Sequence, residues 1–187
     1  AMVELQRLAG MRPNEVVGMR TGNLDTSGRV WVFRPDDHKM AYRGRSRAIY
    51  LGPRAQEILR PWLRPNLAEP LFQPQEAEAE RKAEMRATRK TPVQPSQRDR
   101  SRPGGRRKPR ESYSTQTYSV AIRRACLLAG VPVWTPNRLR HSAATRLRKE
   151  FGLDTARAVL GHASPVTTEI YAELDGRQAA EAMLRIG

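Results

Sequence analysis

Apolar residues in the opening decad, AMVELQRLAG, recur at helical spacing: Met2, Leu5 and Leu8 fall on one face, and Gly10 follows as a stop. No start signal precedes that face, so the opening reads as a cut through a longer chain. A second helix is predicted from Pro13, where the missing N–H costs nothing, with Val16, Val17 and Met19 turned inward. The period then shortens. Residues 23–28 are polar and turn-rich, whereas 29–34 (RVWVFR) have the β-branched and aromatic content of a strand. Another strand is predicted at 48–51 (AIYL), after a run from Lys39 to Arg47 in which Gly44 can turn a hairpin. The expectation is a small antiparallel sheet of two or three strands, with Lys39 near the tip of one connection. PRAQEILRPWL, from Pro53, reads as a helix with Ile58, Leu59, Trp62 and Leu63 toward a core, and Leu71 and Phe72 form a short apolar anchor.

Between 76 and 110 the apolar pattern stops. That segment carries 12 Lys or Arg against 5 Asp or Glu, and Met85 and Val93 are its only large apolar residues. EAEAERKAEMRATRK has helix formers but no apolar stripe, which predicts a solvated helix at most; the Pro-, Gly- and Arg-rich remainder is predicted to be disordered when free. The segment reads as a flexible basic insertion within one domain, suited to lying along phosphates, and a merely solubilising loop is the rival reading. Helical spacing returns at 112–130, where Tyr118, Ala121, Ile122, Ala125, Cys126 and Leu128 make the predicted line and Gly130 the cap. After the proline-bracketed loop VPVWTP, residues 137–151 form a basic helix with Leu139, Ala143 and Leu147 as its buried line, and 154–160 (DTARAVL) follow. Ser164 and Pro165 then read as the N-cap and first residue of a short helix that reaches Tyr171, and a last amphipathic helix covers 177–186. The predicted fold class is mainly α with a small antiparallel β-sheet (α+β), a single domain over 1–187.

Charge narrows the partner. Lys and Arg number 34 against 19 Asp and Glu, a formal charge of +15 with a sequence pI near 11.2. Such an excess is a footprint for a polyanion, nucleic acid ahead of an anionic membrane surface. No apolar run approaches the ~20 residues of a membrane span, and the opening is not a signal peptide, so a cytoplasmic, DNA-associated protein is expected. The lone cysteine, Cys126, allows no intrachain disulfide, and its apolar neighbours predict a small core residue.

Several residues then bear on chemistry. Arg12 sits in the junction between the first two helices, where it is either surface solvation or a side chain aimed into a cleft. Glu15 is placed to position Arg12 or to cap its helix. Lys39 competes with His38, Arg43, Arg45 and Arg47, any of which could grip a nucleic-acid backbone. His141 reads as a structural histidine packed beneath Arg140. Tyr171 lies nine residues beyond His162 and could, taken alone, be a core aromatic beside Ile170. A phenol with a pKa of roughly 10 becomes a nucleophile at neutral pH only among positive neighbours.

Taken in order, Arg12, Lys39, Arg140, His162 and Tyr171 are carried by AGMRPNEVVGMR, HKMAYRGRSRAIYLG, TPNRLRHSAAT and LGHASPVTTEIYAEL. This ordered set resembles the catalytic domain of the tyrosine recombinases, also called phage integrases, over nearly the whole chain apart from the basic insertion. Attack of a phenolate on a DNA phosphodiester builds negative charge on the phosphorane oxygens, and two guanidiniums can hold both with bidentate donors. The resemblance implies that Arg12 and Arg140 do this, that Lys39 protonates the departing 5′ oxygen, that His162 donates a hydrogen bond to the phosphate, and that Tyr171 carries a 3′-phosphotyrosyl link. No metal or cofactor is implied, because the arginines supply the charge. The family motif places histidine three residues before its second arginine, where this chain has Asn137; an amide can bond a phosphate oxygen but cannot accept the tyrosine proton.

The implied function is a site-specific recombinase or integrase acting on double-stranded DNA. It would assemble as a tetramer on DNA and be a monomer or weak dimer without it. The N-terminal DNA-clamping domain of the family would lie outside this chain. The helix at 177–186 is a candidate for docking onto a neighbouring subunit or for packing on its own core. A catalytically weak or inactive DNA-binding module of the same fold is the alternative, motivated by Asn137. A type IB topoisomerase shares the chemistry, and a basic RNA- or ribosome-associated protein would use the charge but leave the ordered set unexplained.

Overall fold

Gly10 is the pivot of the N-terminal half. The computed structural model describes residues 1–36, 47–95, 110–161 and 180–187. Helix α1 (Met2–Ala9) ends on Gly10 in the left-handed conformation (φ 63), which a residue without a Cβ adopts at little cost. Leu5, Leu8 and Ala9 face inward, and α1 packs against the last long helix. A Cβ on Gly10 would lie 2.6 Å from Leu160 Cδ2, so the missing side chain makes room for Leu160 against the end of α1. Helix α2 (Pro13–Val17) follows with Pro13 in its first turn, and Val16, Val17 and Met19 are buried as its sequence predicts.

Strands β1 (Leu24–Asp25), β2 (Trp31–Phe33) and β3 (Ile49–Leu51) form an antiparallel sheet in that order. Trp31 pairs with Leu51 and Phe33 with Ile49, and all four side chains point into the core. Alternation leaves Val32 and Tyr50 half-covered on the other face. The connection predicted to carry Lys39 and to turn at Gly44 lies outside the described residues.

Helix α3 (Pro53–Leu59) continues into a 3-10 turn, Arg60–Trp62. Leu59 is fully buried, and Ile58 and Leu63 are partly covered against the core. Trp62 departs from expectation: it is 36% exposed and rests on Phe72, ring centroids 5.2 Å apart, because the tightened turn swings it off the α3 face. Helix α4 (Pro74–Ala87) buries none of its residues, as the missing apolar stripe predicts.

Helix α5 (Thr115–Leu128) starts at Ser114, whose hydroxyl accepts the Thr117 N–H, and closes with Gly130 at φ 64. Gly130 N–H donates to Leu127 O and Val131 N–H to Cys126 O, a paired closure that satisfies two end carbonyls. Its buried line is narrower than predicted. Tyr118, Ile122 and Cys126, each four residues on, are covered, whereas Ala121 and Ala125 are exposed and Leu128 is 91% exposed. Two residues past Cys126 is a rotation of about 200°, which carries Leu128 to the outer face. Cys126 is a buried free thiol in the core.

Helix α6 (Pro136–Leu160) is broken at Gly152 (φ 86, ψ 175), the point where the sequence pattern separates 137–151 from 154–160. Ala143 and Leu147 are buried and Leu139 half-buried. Residues 180–186 are helical, with Ala182 and Met183 covered. This described part of the predicted last helix packs on its own core: a Cβ on Gly52 would meet Met183 O, and Gly187 O accepts the Ala55 N–H at the start of α3.

Candidate active site

Arg12 ends the loop after Gly10 and caps α2 in an extended conformation (φ −75, ψ 153). Its backbone N–H donates to Glu15 Oε2 (2.6 Å) and its Nη1 to Glu15 Oε1 (2.9 Å), so Glu15 both caps the helix and fixes the arginine. The Arg12 side chain stays 24% exposed while that of Glu15 is fully buried. A buried carboxylate needs compensation, and a second arginine provides it: Arg47 Nε donates to the same Oε1 at 3.3 Å. Burial pushes the Glu15 carboxyl up, but the Arg47 charge and the Arg12 bonds outweigh it, and the group sits below its ordinary value.

Arg47 immediately precedes β3 and is nearly enclosed, 6% exposed. Its Nη1 donates to Ala48 O (3.2 Å) and to Val159 O (2.9 Å), the latter 112 residues away in sequence. It is therefore not available to grip a nucleic-acid backbone, one of the roles open to it from sequence. Burial, with the Arg12 charge, pushes it down from the ordinary arginine value, and the Glu15 charge opposes that shift.

Arg140 lies one turn into α6, with Nη1 on Gly10 O (2.7 Å) and Nη2 on Leu160 O (2.6 Å). It ties the end of α1 to the end of its own helix. Burial, then the charges of Arg12 and Arg47, push it down to about 10, with Glu15 opposing; it stays cationic at neutral pH. A guanidinium has five N–H donors, so two bonds to carbonyls leave others for an anion. The last carbonyls of α6, at Val159 and Leu160, are thus capped by Arg47 and Arg140, and both cations sit at the negative end of the helix dipole. Gly161 closes the helix at φ 62, where a Cβ would lie 2.5 Å from Arg47 Nη1.

Asn137 is exposed in the first turn of α6, three residues before Arg140 and on the same side of the helix. His141 is exposed and not packed beneath Arg140; the helical step of about 100° carries it to the outside. Lys39, His162 and Tyr171 lie outside the described residues, as do His38, Arg43 and Arg45. The structure therefore brings together Arg12 and Arg140 among the sequence-predicted residues. It adds Arg47, whose burial no local signal in a run of arginines could reveal.

A second buried network braces the Arg12 loop. Tyr118 Oη donates to Gln6 Oε1 and Gln6 Nε2 donates to Met11 O, both at 3.1 Å. Burial pushes the Tyr118 phenol up to about 12, which keeps it a neutral donor rather than a nucleophile. Among the described residues no group of three or more His, Cys, Asp or Glu could hold a metal ion, and no helix is long and apolar enough to cross a membrane.

Known proteins resemble this chain over most of its length. The chain is 28% identical over 190 residues to tyrosine recombinase XerC 1 of Ralstonia nicotianae, covering 97% of this chain and 50% of that protein. It is 29% identical over 187 residues to tyrosine recombinase XerC of Yersinia pestis, covering 96% and 49%, and 39% identical over 82 residues to tyrosine recombinase XerA of Pyrococcus furiosus, covering 43% and 28%. The chain thus spans about half the length of the XerC relatives it matches. A solved structure of the XerH site-specific recombinase, bound to difH substrate in a pre-cleavage complex, shares the fold with TM-score 0.51 at 18% identity, over 95% of this chain and 41% of that one. The model of the phage integrase family matches residues 1–177, and with that match over nearly all its length the chain belongs to the phage integrase family of tyrosine recombinases.

Proposed function

We propose that this chain is the catalytic part of a site-specific DNA recombinase that cuts and rejoins strands through a 3′-phosphotyrosyl intermediate. The observation that carries the reading is the convergence of Arg12 and Arg140 on the turn between α1 and α2, the first held by Glu15 and the second by the Gly10 and Leu160 carbonyls, with guanidinium donors beyond those these bonds use. On a DNA phosphodiester the two guanidiniums hold the non-bridging oxygens as charge builds on them. The Tyr171 Oη–P bond forms as the phenol proton passes to water, and the P–O5′ bond breaks. Lys39 gives its proton to the leaving O5′, and His162 donates a hydrogen bond to a phosphate oxygen. In rejoining, a 5′-hydroxyl attacks the same phosphorus and releases the tyrosine, so no nucleotide cofactor is consumed.

Asn137 replaces the group that would accept the phenol proton, and its amide can only bond the phosphate. That motivates the second reading, a DNA-binding module with weak or no cleavage. The basic 76–110 segment would lie along the DNA backbone in either case. Double-stranded DNA is the partner, and the assembly on DNA is a tetramer, with a monomer or weak dimer in its absence.

The test is incubation with randomised-sequence duplexes that each carry a nick, so that cleavage is trapped, followed by denaturing electrophoresis. A protein–DNA adduct that survives denaturation is expected from the parent and is absent from Tyr171→Phe. An adduct of equal yield from Tyr171→Phe removes Tyr171 as the nucleophile. Salt-sensitive binding with no adduct from the parent favours the non-cleaving module.

A further inference from the structure

Arg47 is the residue at this site for which the strand-cutting reaction has no assigned step. Its guanidinium reaches in two directions, to the Glu15 carboxylate at 3.3 Å and to the Val159 carbonyl at 2.9 Å. The first contact belongs to the loop that presents Arg12, and the second to the last turn of α6. The chain from Gly161 onward leads directly to His162.

Glu15 Oε1 is shared between Arg12 Nη1 and Arg47 Nε, while Oε2 takes the Arg12 backbone N–H. A fully buried carboxylate with only one guanidinium would draw that guanidinium toward itself and neutralise it. With Arg47 as a second, buried counter-charge, Arg12 is fixed by Glu15 without its charge being spent there. Gly161 is shaped to let this happen, since a Cβ would collide with Arg47 Nη1.

We propose that Arg47 is a positioning residue: it takes up the Glu15 charge so that Arg12 keeps its charge for the phosphate, and it pins the end of α6 to the Arg12 loop. Among the described residues Arg47 bonds to Glu15, Ala48 and Val159, and it acts through Arg12. The proposal rests on the strand-cutting reading for its catalytic consequence, but the charge-sharing itself can be measured without DNA.

Two readouts decide it, on this chain with folding verified by circular dichroism. Arg47→Met is expected to slow adduct formation at saturating nicked duplex by about tenfold or more while duplex affinity changes by less than about twofold. The double variant Glu15→Gln with Arg47→Met removes the stranded carboxylate and is expected to recover several-fold of that loss, about fivefold in rate, which repair of a merely structural strut would not do. By NMR titration, Arg47→Met is expected to raise the Glu15 carboxyl by about one pH unit or more.

An Arg47→Met protein that cleaves like the parent overturns the proposal, and so does a double variant no faster than the single. If the parent itself forms no adduct, the strand-cutting reading fails, and the Glu15 titration alone decides the charge-sharing. An unmoved Glu15 titration overturns it in either case. If Arg47→Met does not fold, Arg47→Lys decides: a shared-charge role predicts a Glu15 titration near that of the parent, and a rise like that expected for the methionine variant overturns it.

Discussion

Around Glu15, three arginines are packed so closely that each guanidinium has assigned partners, while along α4 Arg81 and Lys82 share Glu78 on a helix that buries nothing. Arg81 is 58% exposed in that pair, against 6% for Arg47. In the first region charge is removed from water and must be repaid by carbonyls and a carboxylate held in register. In the second, water screens the pairs, which therefore contribute little. The lesson is that the count of +15 does not locate function. What sets Arg140 apart from the α4 arginines is its bond to a backbone carbonyl of a distant element, Gly10 O across 130 residues of sequence.

That contrast can be broken most strongly at Arg140. Arg140→Lys keeps a charge but cannot hold Gly10 O and Leu160 O together while facing a phosphate. Adduct formation is expected to fall by about 10²–10³, measured on the nicked duplexes. Next comes Glu15→Ala, which strands Arg47 as a buried charge; equilibrium urea unfolding is expected to show a loss of about 3–5 kcal/mol.

Acid sharpens the same point. The folded Glu15 carboxyl lies below its ordinary value of 4.5, so its stabilisation is fully present above that pH and is lost as pH falls through the lower, folded value. Urea midpoints are therefore expected to show no Glu15 contribution to pH dependence between pH 7 and 5. Below 4.5 they should fall more steeply than those of Glu15→Gln. Least affected should be Glu78→Ala on α4: its thermal midpoint is expected to match the parent's within measurement error, because both cations it meets are solvated.

Much of the scaffold is legible in the sequence. Gly10, Pro13, Gly130 and the break at Gly152 follow from local rules about where a chain can turn or lack an N–H, and local rules act within a few residues. The β2–β3 pairing is legible from the β-branched and aromatic content of 29–34 and from the strand at 48–51. What failed did so where a helical face had to be aimed: Leu128 and His141 are one or two residues from buried neighbours, which is enough rotation to expose them. Arg12 and Arg140 were legible as an ordered pair. Arg47 and the Tyr118–Gln6–Met11 chain were not, because each is defined by a partner on another element and by burial that the sequence does not display.

The close approach at Gly10 sets how far apart the two arginines are held. Its α-hydrogens, in place of a side chain, face Leu160, and its carbonyl holds Arg140. The gap between the platforms of Arg12 and Arg140 is thus set by a shim one hydrogen thick on the Gly10 side. Any side chain at position 10 would thicken that shim against Leu160, so the spacing of the site depends on one residue having none.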